Sequence, residues 1–413
     1  MKTIRILLIS KFFYPDQNPP SFRFYEMLKI IKEKTGWDVS VITTYPHYRV
    51  PDKTRKSYSF EDASGIKIYR VSCPKFEKKN ASIRYEIYVQ NLLSDFVFMI
   101  KAIFKTLFLE NFDFVTCSSP PVLTLVAGLF AAIIRKSKLI VDIRDLWIET
   151  RVELNMLNSK PLVKILNCIE QITLNKAEAV TCTTKGIKSN IERRLEGKET
   201  KVELLTNGID QIMLNSEKSP RISGSKILNS GKFTILYAGR VGRLQNLSSL
   251  IDGISYLERY NFHFIIIGNG NDIESLKNKI KLLKLQNIEI LPPKERSELK
   301  DCYAHSDALL VHLRNTEALK YTIPSKIFEY MVSEKPIIYG LLGEAKEILD
   351  ECRAGIWFSP EDVNSFISSA IELHKNYDFY IKQIPYRKKC VIEKYSRENI
   401  AIKLLLIFNR LIN

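Results

Sequence analysis

The sequence has no C-x-x-C pair and no set of cysteines and histidines at zinc-ligand spacing, which excludes the common zinc modules and a thioredoxin-type redox centre. Its seven cysteines (Cys73, Cys117, Cys168, Cys182, Cys302, Cys352, Cys390) lie far apart and are expected to be reduced, mostly buried thiols of a cytosolic protein. No D-x-D pair of aspartates is present, so the usual acidic signature for a divalent metal beside a diphosphate is missing. The five histidines, His47, His263, His305, His312 and His374, show no metal or triad spacing and are each assigned a structural role. No long apolar run exists either. The longest uncharged stretch, residues 114–134, is broken by Ser118-Ser-Pro-Pro121, leaving a core-helix length rather than a membrane span. The short apolar start has no small-residue cleavage site after it and suits a buried first strand. Repeats and low-complexity tracts are also lacking.

What remains is an ordinary folded composition: 45% hydrophobic and 26% charged residues exclude disorder and collagen-like repeats. At 413 residues the chain exceeds the roughly 250–300 residues that one core sustains, so two domains are expected. The formal charge is +16, and residues 1–210 hold 33 Lys and Arg against 23 Asp and Glu. Such a field attracts nucleotides or anionic headgroups, or else reflects a lysine-rich coding bias with solvated side chains. The charge permits nucleic-acid binding, but no recognised module or aromatic-basic platform accompanies it, and that class is set aside.

Apolar runs alternate with segments of helical period, the pattern of α/β folds with parallel sheets. Strands are predicted at 4–9, 39–43, 67–71, 114–117, 139–143, 179–182 and 202–205, then at 233–238, 263–267, 288–291, 308–313 and 336–339. The run 4–9 lacks alternation, as a strand buried on both faces does. The polar, Ser-rich segment 215–232 is the expected linker. The domains are therefore 1–214, 233–394, and a terminal helix, 395–413, that packs back towards the N-terminal domain through Ile400, Leu404, Ile407 and Leu411. Two such sheets would place a ligand site in a central cleft, at their carboxyl edges.

Two strand-to-helix turns in the second half carry candidate chemistry. In Tyr237-Ala-Gly-Arg-Val-Gly-Arg-Leu-Gln-Asn246, Gly239 and Gly242 let backbone approach a ligand while Arg240 and Arg243 offer forked donors to phosphate. In Pro324-Ser-Lys-Ile-Phe-Glu-Tyr-Met331, Ser325 is a candidate cap, Lys326 adds positive charge at a helix start, and Glu329 lies one turn on, where a carboxylate can bind a ribose diol. Alone, each also fits a tight turn with solvated arginines or a surface glutamate.

Together with Phe13-Tyr-Pro-Asp-Gln-Asn-Pro-Pro-Ser-Phe-Arg23, Ser118-Ser-Pro-Pro121, Val141-Asp-Ile-Arg-Asp-Leu-Trp147, Thr206-Asn-Gly-Ile-Asp210, Ile267-Gly-Asn-Gly270 and His305-Ser-Asp307, these turns give the chain its resemblance to a family. It resembles the retaining glycosyltransferases of family 4 (group 1), especially bacterial transferases that add aminosugars to surface polysaccharides. The resemblance implies a GT-B fold of two Rossmann-like doubly wound domains and a nucleotide sugar, UDP-linked, held mainly by the C-terminal domain. It implies that Arg240 and Lys326 neutralise the diphosphate, that Ser325 helps hold it, that Glu329 binds ribose and that the loop with Pro293 lies along the uracil. Ser21 and Arg23, with Arg144 and Asp145, would face the reacting sugar from the other side, the last two as catalytic candidates. The chain departs from the family pattern in having Tyr321 where many relatives have a sugar-contacting glutamate, Gln245 in place of a lysine, and Arg144 in place of a histidine.

The implied reaction moves a sugar, with an N-acetylated aminosugar as one reading, to a glycan or polyprenyl-diphosphate-linked acceptor in the cytoplasm, with retention and without a metal or other cofactor. Two other readings stand beside it: a nucleotide-sugar 2-epimerase, and a GT-B scaffold subunit that has lost turnover. Residues 83–108 have a wide apolar face (Leu92, Leu93, Phe96, Ile100, Ile103, Phe104, Leu107) beside Lys101 and Lys105. Core packing is the favoured reading of that face, and peripheral contact with the inner membrane is the second.

Overall fold

The computed structural model describes residues 3–16, 18–46, 64–74, 84–209, 211–214 and 231–412. Most of the expected linker, residues 215–230, lies outside the described residues, as do His47 and Asp210. The chain forms two units, the first of residues 1–208 with 397–413 and the second of residues 209–396.

Among the described residues the first unit holds seven parallel strands: β1 (Arg5–Ile9), β2 (Asp38–Thr44), β3 (Lys67–Val71), β4 (Phe114–Ser119), β5 (Lys138–Ile143), β6 (Ala179–Cys182) and β7 (Lys201–Leu204). Their order, β3-β2-β1-β4-β5-β6-β7, reverses between β1 and β4, the point at which open α/β sheets bind ligands beyond the strands' carboxyl ends. Strand β1 reads as an unbroken apolar run because both of its faces are covered. Leu7 and Ile9 join one core with helices Arg84–Thr106, Leu123–Arg135 and Lys160–Lys176, while Ile6 and Leu8 join another with helices Pro19–Thr35 and Arg397–Ile412.

The terminal helix belongs to this first unit. Ile400, Leu404 and Phe408 are buried in the same core as Phe24 and Ile31. Arg397 reaches Glu26 at 3.3 Å and the Gly208 carbonyl at 3.0 Å, so the polar end of the helix is tied down as firmly as its apolar stripe.

The second unit contains β8 (Phe233–Ala238), β9 (Phe262–Ile267), β10 (Ile288–Leu291), β11 (Ala308–His312), β12 (Ile337–Gly340) and β13 (Gly355–Trp357). The order is β10-β9-β8-β11-β12-β13, again all parallel, with its reversal between β8 and β11. The edge strand β13 was not expected: it spans three residues and opens on glycine, so it presents no apolar run.

Two expectations are corrected here. Cys352 and Cys390, 38 residues apart and with Cα atoms 5.6 Å from each other, form a disulfide, so not all seven cysteines are thiols. The fold brings the carboxyl end of helix Gly343–Glu351 against the middle of helix Ile384–Tyr395, a neighbourhood that sequence spacing does not announce. Of the apolar face named on residues 83–108, Ile103 packs against the core as expected but most of the rest does not. Phe98, Met99 and Ala102 are buried, whereas Leu93, Phe96, Ile100 and Phe104 are exposed, because this helix is apolar on both sides.

Candidate functional site

At the carboxyl end of β8 the chain turns sharply at Gly239, whose φ of 139° lies in the region that favours glycine. A second constraint acts there: a Cβ at Gly239 would stand 2.6 Å from the ammonium nitrogen of Lys326. Lys326 opens helix Lys326–Val332, and its Nζ sits 3.7 Å from the centre of the Tyr237 ring. That nitrogen is buried and has no hydrogen-bond partner. Burial pulls the Lys326 pKa down to about 7, against the opposing pull of the Glu329 carboxylate. A buried ammonium without a hydrogen-bond partner, beside a side-chain-free turn, has the chemistry to receive an anion.

The turn is braced from below and from the side. Tyr237 donates its hydroxyl to the Arg240 carbonyl at 2.5 Å, and the Tyr330 hydroxyl bonds Ala238 N–H at 2.9 Å. Alongside, the Gly268-Asn-Gly270 turn after β9 packs backbone on backbone: Val241 N–H donates to the Asn269 carbonyl at 3.1 Å, and Gly239 N–H to the Ile267 carbonyl at 2.8 Å. A Cβ at Gly268 or Gly270 would lie 1.8 Å from the carbonyl oxygen of Gly239 or Val241 respectively, so only glycine fits at either place. The Arg240 side chain is exposed above this rigid base, and those of Arg243 and Gln245 are half-buried.

His312, at the end of β11, fixes the far end of the turn, a role its sequence spacing did not announce. Its Nδ1 bonds the Gln245 carbonyl at 2.7 Å and its Nε2 accepts from Glu361 N–H at 3.1 Å, which places the proton on Nδ1. The ring stacks on Phe358 and is 1% exposed, and burial lowers its pKa to about 4. The Glu361 carboxylate in turn bonds Asn246 and Asn315 N–H and lies 3.4 Å from Arg314. Arg387 is the other unforeseen holder. Its buried guanidinium bonds the carbonyls of Met331 at 2.8 Å, Ser333 at 2.5 Å, Lys335 at 2.9 Å and Ala354 at 3.1 Å, gripping the carboxyl end of the helix that carries Lys326 and Glu329.

Of the remaining predicted residues in this unit, Ser325 makes no side-chain cap bond: its backbone is already helical rather than in the extended conformation that capping residues adopt, which corrects its assignment as a cap. Pro293 is exposed beyond β10, and Tyr321, 39% exposed, ends a short 3-10 turn.

In the first unit the hub is Asp142, which sequence reading passed over in favour of its neighbours. It is 1% exposed and accepts from Arg23 at 2.9 Å, from Ser118 at 3.0 Å and from Thr181 at 2.7 Å. Arg23 also donates to the Leu205 carbonyl at 2.8 Å and is itself 1% exposed. Ser21 is buried and bonds the capping side chain of Asn18 at 2.7 Å. The assignment of Ser21 and Arg23 to a ligand-facing surface is therefore corrected, since both are buried, Ser21 bonding the start of its own helix and Arg23 tying Asp142 to the Leu205 carbonyl. Arg144 bonds the Pro120 carbonyl and lies 4.0 Å from Asp142. Burial lowers the Arg144 pKa and raises that of Asp145, whose carboxylate is pulled back by Arg144 and Arg151. At the end of β1 a second buried pair, Lys11 and Asp95, meets at 2.5 Å.

Residues 25–208 match the glycosyl transferase 4-like domain family and residues 218–391 match the glycosyl transferases group 1 family. The chain joins these two domains. The carboxyl-edge turns of β8 and β9, with Lys326, thus lie in the group 1 domain, and the Asp142 hub lies in the 4-like domain. An uncharacterized glycosyltransferase of Methanocaldococcus jannaschii is 23% identical over 244 residues, covering 58% of this chain and 61% of that protein, so the match spans less than two thirds of the relative. The 2-deoxystreptamine N-acetyl-D-glucosaminyltransferase of Niallia circulans is 25% identical over 304 residues, covering 69% and 75%. Among solved structures, Anabaena HepE in complex with UDP and glucose matches with a TM-score of 0.71 and 14% identity over 98% of this chain and 100% of that one. The fold shared by the 4-like and group 1 domains is the GT-B fold of two Rossmann-like sheets.

Proposed function

We propose that the chain is a retaining glycosyltransferase that binds a UDP-linked sugar through its group 1 domain and transfers the sugar to a glycan or polyprenyl-diphosphate-linked acceptor. The observation that carries this reading is the Lys326 ammonium, buried against Gly239 with no hydrogen-bond partner. The two matched domains and the likeness to a structure complexed with UDP and glucose support the ligand class. An N-acetylated aminosugar as donor is supported by the Niallia relative's name.

In this mechanism Lys326 and Arg240 meet the diphosphate and Glu329 takes the ribose hydroxyls. The bond between the sugar's anomeric carbon and the diphosphate oxygen breaks as the acceptor oxygen bonds the same face, and the acceptor's proton passes to the departing phosphate. Fixed cations lower this barrier because charge grows on the leaving oxygen, and they do so without reorganisation. Two protein cations supply that charge without a metal. On the 4-like side, Arg144 and Asp145 stand beside the Asp142 hub as the groups that orient acceptor and sugar.

The test is to incubate the protein with UDP-N-acetylglucosamine and a polyprenyl-diphosphate-linked glycan and follow product by NMR. A product of the donor's anomeric configuration, absent with Lys326→Ala, is expected. Inversion refutes retention, an epimerised donor without acceptor marks a 2-epimerase, and no turnover with any nucleotide sugar leaves the scaffold reading standing in its place.

A further inference from the structure

One face of the first unit's sheet is covered by helices Arg84–Thr106, Leu123–Arg135 and Lys160–Lys176, whose inward residues share a single core with the sheet. Their outward residues are also apolar. Phe96, Ile100, Phe104 and, just past the helix, Phe108 are 49%, 48%, 61% and 69% exposed, Ile133 on the second helix is 64% exposed and Ile165 on the third is 56% exposed. Arg135 donates to the Thr106 carbonyl at 2.6 Å, so the carboxyl ends of the first two helices, where Phe104 and Ile133 stand, adjoin. A folded surface exposes isolated apolar side chains freely, but apolar residues recurring across three neighbouring helices mark a docking face.

Charge says what covers it. Among the described side chains of these helices the only carboxylates are turned inward: Asp95 pairs with Lys11 at 2.5 Å, and Glu170 pairs with Arg194 at 2.7 Å. The exposed ions are cations, among them Lys101, Lys164, Lys176 and, at the end of the second helix, Lys136. The helices on the sheet's other face carry both signs, with exposed pairs Lys29–Glu33 at 3.8 Å and Lys34–Glu398 at 2.9 Å. An apolar face whose described helix side chains expose lysines and no carboxylate complements an anionic lipid surface; the exposed carboxylates Glu110 and Glu178 lie just past the ends of the first and third helices.

We propose that this three-helix face of the first unit docks on an anionic bilayer, its aromatic and aliphatic side chains entering the acyl boundary and its lysines meeting headgroup phosphates. None of the described helices is long and apolar enough to cross a membrane, so the contact is an interfacial one. The proposal stands on this surface alone and does not require the sugar-transfer reading.

The test is co-sedimentation of the full chain with large unilamellar vesicles of phosphatidylglycerol and phosphatidylcholine, against vesicles of phosphatidylcholine only. Binding should favour the anionic vesicles by about tenfold and weaken with salt. The double variant Phe104→Ser, Phe108→Ser and the double variant Lys136→Glu, Lys164→Glu should each lose about tenfold in binding. Leu406→Ser, 61% exposed on the opposite side, should change nothing. All these positions are at the surface, and unchanged thermal melts would show that the fold is kept. The proposal is overturned if the wild-type protein ignores anionic vesicles, if the Phe and Lys variants bind as well as wild type, or if the face instead holds a second copy, seen as a lipid-free dimer that the Phe variant dissociates.

Discussion

Lys326 is the residue on which the proposed ligand chemistry turns, and its pKa, lowered by burial to about 7, has a signed consequence. A diphosphate bound beside it raises that pKa, so binding near neutral pH takes up a proton, and affinity falls as pH rises above about 7 and the free site loses its charge. Titrations of UDP in buffers of different ionisation enthalpy should show this uptake in wild type and not in Lys326→Met. His312 acts in the opposite pH range. Its folded pKa of about 4 lies below the ordinary 6.5, so the unfolded chain binds the extra proton and stability is lost as pH falls from about 6.5 to about 4. Melting temperature should drop more steeply over that window in wild type than in His312→Asn. Asp142→Asn is expected to cost about 3–5 kcal/mol in urea unfolding, because it strands the buried guanidinium of Arg23. The turn proposed to meet phosphate was legible locally as a tight strand-to-helix turn, through its glycines and arginines. His312, Asp142 and Arg387 were not, since each acts through partners tens of residues away that only the fold brings near.

Among the elements, the turn after β8 is held in place because it is zipped backbone to backbone to the turn after β9. Gly268→Ala forces a methyl group to within 1.8 Å of the Gly239 carbonyl and so must shift the turn that meets Lys326. UDP affinity is expected to fall at least tenfold while the melting temperature falls by only a few degrees, which isothermal titration and calorimetry would separate. The strands were readable as unbroken apolar runs because parallel sheets bury both faces. Strand β13 escaped that logic through its shortness, and at its opening Gly355 a Cβ would meet the Ile337 carbonyl at 1.9 Å, so close approach to β12 rather than side-chain packing selects the residue. Helix Arg84–Thr106 escaped it through excess: with apolar residues on both sides, periodicity could not say which face goes in.

For the whole molecule, the chain leaves the first unit at Gly208 and returns to it at Arg397, so the first unit is completed only by residues that follow the second. Truncation after Ser396 uncovers Phe24, Ile31 and Phe114, which share a core with Ile400 and Phe408, and should leave a protein that melts at lower temperature and binds a hydrophobic dye. The fold class followed from alternating strands and helices and from length, and the disulfide between Cys352 and Cys390 did not, because nothing in linear spacing pairs them. The central claim is that the second unit grips a diphosphate through Lys326 and Arg240. Isothermal titration of UDP into wild type, Lys326→Ala and Arg240→Ala tests it most directly: saturable binding by wild type, weakened at least tenfold in either variant that keeps its melting temperature, is the predicted result. Equal affinity in all three proteins, or no binding of UDP or any other nucleoside diphosphate by wild type, would contradict it.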